Sequence, residues 1–156
     1  MDWGGWLVFG FVATAILTAI MVAAQLTGLT RMDLPMMLGT IVTEDVDRAR
    51  VLGIVIHMLN GQVFALVYAA AFALLHASGL LLGAAFGMVH GLIALTVIVP
   101  PLPGLHPRMA SERSGPALHR LEPPGFLGLN YGMQTPVSAL IAHVAYGALL
   151  GLLLKP

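Results

Sequence analysis

Residues 51–107 read VLGIVIHMLNGQVFALVYAAAFALLHASGLLLGAAFGMVHGLIALTVIVPPLPGLHP and contain no Asp, Glu, Lys or Arg. A soluble domain carries about 25% charged residues, so a gap of this length belongs to an apolar solvent. Within it, Val51 to Leu75 and Gly79 to Val99 are each long enough to cross a bilayer core, which takes about 20 apolar residues at 1.5 Å rise. The short segment His76-Ala77-Ser78 predicts a tight turn that folds these two spans into a hairpin.

Outward from this stretch, Trp6 to Leu26 and Val137 to Leu154 supply two further spans. The predicted fold is an all-α membrane protein in a single domain, 1–156. Its four-transmembrane-helix bundle has helices near 6–26, 44–75, 79–99 and 137–154. The whole chain is 58% hydrophobic and 9% charged, with no cysteine. Disulfides, thiolate metal sites and iron–sulfur clusters are thereby excluded. Seven basic and seven acidic residues balance, which gives no electrostatic footprint for nucleic acid. The first span follows Met1-Asp2-Trp3-Gly4-Gly5, which has no basic residue. It is also too long for a signal h-region, so it is read as a span despite Val22-Ala23-Ala24.

Two long connections separate the spans. Gly28 to Arg50 and Pro100 to Pro136 hold Arg31, Arg48, Arg50, Arg108, Arg113 and Arg120, and the opposite side holds only Lys155. The positive-inside rule puts both loops in the cytoplasm and both termini outside, with Trp3 and Trp6 at the outer interface. Thr43-Glu44-Asp45 reads as an N-cap with acids in the first turn, so the second helix is expected to start near Glu44. The second loop carries eight of the ten prolines and predicts an irregular cap rather than a fifth helix.

Helix faces identify the seams. Gly79, Gly83, Gly87 and Gly91 form a glycine-zipper series at four-residue spacing, and Gly147 and Gly151 answer them on the fourth span; small residues let backbones approach closely in lipid. At 100° per residue, Gly53, His57, Asn60, Gly61, Phe64 and Tyr68 share one face of the second helix, expected to look inward. Gln62 points about 140° away from it, towards lipid or a partner, or else it is an interfacial or locally satisfied amide. On the fourth, His143 shares a face with Ala139, Tyr146 and Gly147; on the first, Thr14, Thr18, Met21 and Gln25 do so.

Measured from the loop ends, His57 and His143 lie roughly 9 Å into the membrane, Thr18 roughly 12 Å, Asn60 roughly 13 Å and His90 roughly 15 Å. Intramembrane ionisable groups are functional candidates, so His57, His90 and His143 form a candidate metal or haem site with Thr18, Asn60, Tyr68 and Tyr146 as a supporting polar layer. Imidazole suits zinc, copper and iron, and a bis-histidine haem needs two ligands at matching depth. The structural alternative is that the rings bond to tyrosines, Asn60 or carbonyls and fix the packing. A proton or small-solute path is the third reading.

The loops add a cluster of Asp33, His106, Arg108, Glu112, His119, Arg120 and Glu122. It has the residue types for a divalent cation or acid–base chemistry but no diagnostic spacing. Solvated or salt-bridged charges are the expected reading, with Asp33 capping a short turn or pairing with Arg108. No H-E-x-x-H, phosphate loop or nucleophile motif occurs, and the nine methionines form no M-x-x-M array.

Several strings carry a resemblance: Met32-Asp33-Leu34-Pro35-Met36-Met37-Leu38-Gly39-Thr40, His106-Pro107-Arg108-Met109-Ala110-Ser111-Glu112, Leu121-Glu122-Pro123-Pro124-Gly125-Phe126, and Asn130-Tyr131-Gly132 with Thr135-Pro136. Together they resemble a family of small bacterial integral membrane proteins of unknown function. The resemblance implies a four-span protein of the bacterial inner membrane and transfers no site. The expected role is non-catalytic, as an accessory, scaffold or assembly component whose partners are the lipid bilayer and a membrane protein or a second copy of the chain. The alternative is a metal- or haem-binding protein using the intramembrane histidines.

The orientation is open to single-cysteine labelling, because the chain has no native cysteine. In intact cells a membrane-impermeant maleimide is expected to label Lys155→Cys, and to label Arg48→Cys only after lysis; the reverse pattern overturns the topology.

Overall fold

The computed structural model describes residues 3–111 and 121–156. Glu112, His119 and Arg120 of the loop cluster lie outside them, as does Arg113. The described residues form α1 (Trp3–Leu26), α2 (Leu34–Gly39), α3 (Val46–Leu75), α4 (Leu80–Ile93), a π-helical continuation of α4 (Ala94–Ile98), α5 (Leu102–Leu105), a kinked 3-10 segment (Phe126–Tyr131) and α6 (Thr135–Leu153). Four helices are long and apolar enough to cross a membrane. In the span Leu80–Ile98 only 22% of the most apolar window is buried inside the protein, so most of that surface needs an apolar solvent.

Several boundaries differ from the expected ones, each for a local reason. The second spanning helix starts at Val46, not 44, because Asp45 is its N-cap and accepts from Arg48 N at 2.8 Å. The fourth starts at Thr135 rather than 137, because Pro136 fits the first turn, where a missing N–H costs nothing. The loops are more helical than predicted. Asp33 caps α2 by accepting from Met36 N at 2.9 Å, and α5 forms despite its prolines because Pro103 sits in the first turn.

The bundle is held by backbone contacts at glycines. A Cβ on Gly83 would overlap the Gly147 carbonyl oxygen, one on Gly87 the His143 carbonyl, one on Gly147 the Gly83 carbonyl and one on Gly151 the Gly79 carbonyl. α4 and α6 therefore pack backbone to backbone. Gly91 extends the seam against Leu140 and His143 side chains. Gly79 itself has open space around its Cβ direction; its φ of +147° makes it a turn residue. The same device seats α2 on α3, where Gly39 meets the Ala49 backbone and Gly53 the Pro35 backbone.

The tight turn joins α3 to α4 as expected, through a Schellman-type end with His76 at φ 50°, His76 N–Ala73 O at 3.3 Å and Ala77 N–Phe72 O at 3.2 Å. The hairpin is loose, however. α4 packs on α6, whereas α3 packs on α1 and α2, so the helices run α3, α1, α6, α4 around the bundle with a seam between α3 and α4. Aromatic rings span that seam: Phe72 stacks on Phe86 at 5.6 Å, and Tyr68 meets Phe86 edge-on at 5.9 Å.

Gln62 is an interfacial amide at the α1 contact. Its Nε2 donates to Leu7 O at 2.9 Å, and Trp6 Nε1 donates to the Gln62 main-chain carbonyl at 2.9 Å. α1 packs along Gly61, Ala65 and Gln62, with Thr14 and Gly10 against them, so the amide joins α3 to α1.

Gly87→Ala is expected to destabilise the bundle by about 1–3 kcal/mol, the usual cost of overpacking. Gly104→Ala, where a Cβ meets nothing within 4 Å, should be neutral within about 0.5 kcal/mol. Unfolding in micelles followed by circular dichroism separates the two.

Candidate functional site

Three seams converge on one cavity. It measures about 170 Å³ and is bordered by all four spanning helices, including His57, His90, His143, Tyr146, Asn60 and Thr14. Its position follows from the glycines: Gly61 and Thr14 bring α1 against α3 one turn from His57, and Gly87 brings α6 against α4 one turn before His90. The remaining lining is apolar, with Leu17, Phe64, Leu95 and Ala139 prominent. Ala94, Leu95 and Ile98 come from the π-helical stretch, whose wider turn closes with Val99 N–Ala94 O at 2.9 Å. Such segments are frequent at functional sites, and the alternation of apolar residues there carried no sign of it.

The three histidines border the same cavity, but each ring has a different environment. His143 Nδ1 donates to Ala139 O at 2.7 Å on its own helix, which leaves Nε2 as an acceptor in that tautomer. Tyr68 OH lies 3.3 Å from His90 Nδ1. With the phenol as donor, the second ring nitrogen of His90 carries the proton. The His90 and His143 rings meet edge-on at 4.8 Å between centroids. His57 is 9% exposed, and among the described residues no group hydrogen-bonds its ring.

Among the described residues no three His, Asp or Glu side chains form a metal-holding group. His90 and His143 each use one ring nitrogen on a protein partner and keep the other. Size bears on haem as well: an apolar cavity of about 150 Å³ holds one benzene ring, so about 170 Å³ suits a single substituted ring and not a macrocycle.

The expected polar layer divides. Asn60 and Tyr146 border the cavity, and Tyr146 OH donates to Gly61 O at 2.6 Å. Tyr68 lies on the far side of His90, in the α3–α4 seam. Thr18 turns its hydroxyl to Thr14 O at 2.8 Å and borders a separate small void beside His57. Thr14 takes the cavity position instead.

At the loop end the cavity is bordered by Met32, Leu34, Leu38 and Leu102, four apolar residues that sequence spacing did not single out. The loop charges hold this floor and fall into two groups rather than one. Arg31 pairs with Glu122 at 2.9 Å and donates to Asn130 O at 2.6 Å. Arg108 does not pair with Asp33. It donates to Thr40 O at 2.7 Å and Ile41 O at 3.2 Å, and its Nε lies 3.4 Å from Glu44 Oε1 as an ion pair without hydrogen-bond geometry. His106 Nε2 donates to Met37 O at 2.8 Å and its Nδ1 accepts from Arg108 N at 3.0 Å. These contacts clasp one loop to the other across the C-terminal carbonyls of α2, the end of a helix where cations are favoured.

Comparison with family models, with curated proteins and with solved structures finds no match to this chain.

Tyr131 reports on the clasp. Its hydroxyl donates to the Glu122 carbonyl, and burial, reinforced by the Glu122 carboxylate and opposed by Arg31, pushes its phenol from 10.0 up to about 12. The unfolded phenol ionises first, so the stability held below pH 10 is lost as pH rises through about 12. The expected result is a falling unfolding free energy across that window, with a shallower fall in Tyr131→Phe.

Proposed function

We propose that this chain is a non-catalytic integral membrane protein of the bacterial inner membrane, with both termini outside, that binds one small lipophilic molecule among its helices. In this role it acts as an accessory or carrier component beside a membrane partner. The observation that carries the reading is the cavity of about 170 Å³, apolar in its lining yet bordered by three imidazoles from three helices. Ligand pockets characteristically combine an apolar lining with a few placed polar groups.

The polar groups favour a hydroxyl on the ligand. His143 offers an acceptor, and His90, with Tyr68 donating to its Nδ1, offers a donor. A phenolic hydroxyl is at once donor and acceptor and satisfies both. No carboxylate borders the cavity, which supports binding over acid–base turnover. The balance of arginine between loops and termini supports the orientation, and the strings that resemble small bacterial membrane proteins support the location.

Calorimetry in micelles with 4-methylphenol tests this. Saturable one-to-one binding is expected, with stabilisation of about 2.7 kcal/mol at a hundredfold excess over Kd. Ala139→Phe, which fills the cavity, should abolish binding while helicity is retained, and His90→Leu, which removes the donor, should weaken it about tenfold, one hydrogen bond's worth. Absence of saturable binding, or binding unchanged by Ala139→Phe, sinks the proposal.

A further inference from the structure

The cavity has a neighbour. In the seam between α3 and α4 an open groove of about 250 Å³ faces outward, bordered by Val67, Ala71, Val89 and Ile93 together with Phe64 and His90. Phe64 and His90 also border the ring-sized cavity. Their rings lie 4.1 Å apart between centroids, so these two side chains form a wall shared by both spaces. The groove runs roughly 10 Å along α3 from Phe64 to Ala71 at 1.5 Å per residue. It is apolar apart from His90 and Tyr68, and exposed Val67 and Val89 put it on the bilayer-facing surface.

From this continuity we infer that the ligand is a tailed phenolic lipid: a single hydroxylated ring in the cavity and an alkyl or prenyl chain passing the Phe64–His90 wall into the α3–α4 groove. The inference rests on the reading of the cavity as a ring site and adds the tail. Three observations favour this occupant over a free ring. The cavity has room for the ring alone. The floor of Met32, Leu34, Leu38 and Leu102, clasped by Arg108 and His106, borders the loop side. The adjoining groove, by contrast, opens to lipid and runs away from the loops, because α3 passes from Val46 at the loop end to Leu75 at the turn. With Asn60 roughly 13 Å from the loop end, Phe64 to Ala71 lie at roughly 19 to 30 Å, so the ring sits near the midplane and the chain lies in the half of the bilayer away from the loops.

Phe64 is the movable part of the wall, being partly buried, whereas Gly61 one turn below is fixed against Thr14. A rotamer change at Phe64 would join the two spaces without moving a backbone.

Paired probes test the tail separately from the ring. In micelles at matched detergent mole fraction, linear 4-nonylphenol is expected to bind at least tenfold tighter than 4-methylphenol to the native chain. Val67→Trp and Ala71→Trp, which fill the groove, should reduce that gain to under threefold while leaving 4-methylphenol affinity unchanged. Two groove variants are used so that misfolding of one does not decide the outcome. 4-Methylanisole, which lacks the donor hydrogen, should bind at least fivefold more weakly than 4-methylphenol. If 4-methylphenol binds but the nonyl gain persists in both tryptophan variants, the groove assignment is overturned and the ring site survives. If 4-methylanisole binds as tightly as 4-methylphenol, the phenolic class is overturned. Failure of 4-methylphenol itself overturns the underlying cavity reading.

Discussion

The backbone contact between α4 and α6 is the constraint from which the remaining geometry follows. In an apolar solvent helices gain little by hiding leucine from lipid, so association is decided by how closely main chains approach and which polar groups meet. Gly83 and Gly87 lie against the carbonyls of Gly147 and His143, an approach that no residue with a Cβ allows. Once α4 is committed to α6, it cannot also close on α3, although a short turn connects them. Space between α3 and α4 is the result, part of it among the four helices and part on the outer surface of the bundle.

The loops complete what the glycines begin. None of their contacts is large alone: an exposed pair such as Arg31–Glu122 contributes about 0–1 kcal/mol. Their effect lies in joining segments remote in sequence. Thr30 and Thr135 share a hydrogen bond of 2.7 Å, Arg108 reaches the end of α2, and His106 bridges Met37 to the backbone of Arg108. The described part of the loop cluster thus becomes a fastening, with Arg108 and His106 donating to backbone carbonyls. Its consequence for function is the apolar floor beneath the cavity.

Much of the architecture was legible in the sequence because it depends on local chemistry. The charge gap between Arg50 and Arg108 marks two spans, the four-residue glycine spacing marks the α4 seam, and the face shared by Gly53, His57 and Gly61 is buried. What stayed hidden depends on neighbours. Gln62 stands away from His57 on α3, and only the position of α1 makes its amide an interface group. The order of helices around the bundle follows from which glycine series finds which partner, which spacing within one helix does not specify. The π-helical stretch after Ile93 is invisible to periodicity, since Ala94 to Ile98 reads as one more turn of apolar helix. Among the site residues, depth brought the three histidines to one level but gave no ring orientation, and Thr14 rather than Thr18 borders the cavity because α1 meets α3 at Gly61 through Thr14, although both hydroxyls donate to their own helix backbone.

A space of about 170 Å³ among the helices is not forced by the fold. Simple substitutions would close it: Ala94 and Ala139 both border the space, and larger apolar residues at either would fill it without disturbing the glycine seam. Small residues stand there instead, next to a widened helical turn and an imidazole, His57, whose ring has no hydrogen-bond partner among the described residues. On the proposed function a hydroxylated ring accounts for the small side chains by filling the space with dispersion contacts, and its hydroxyl meets the remaining nitrogens of His90 and His143.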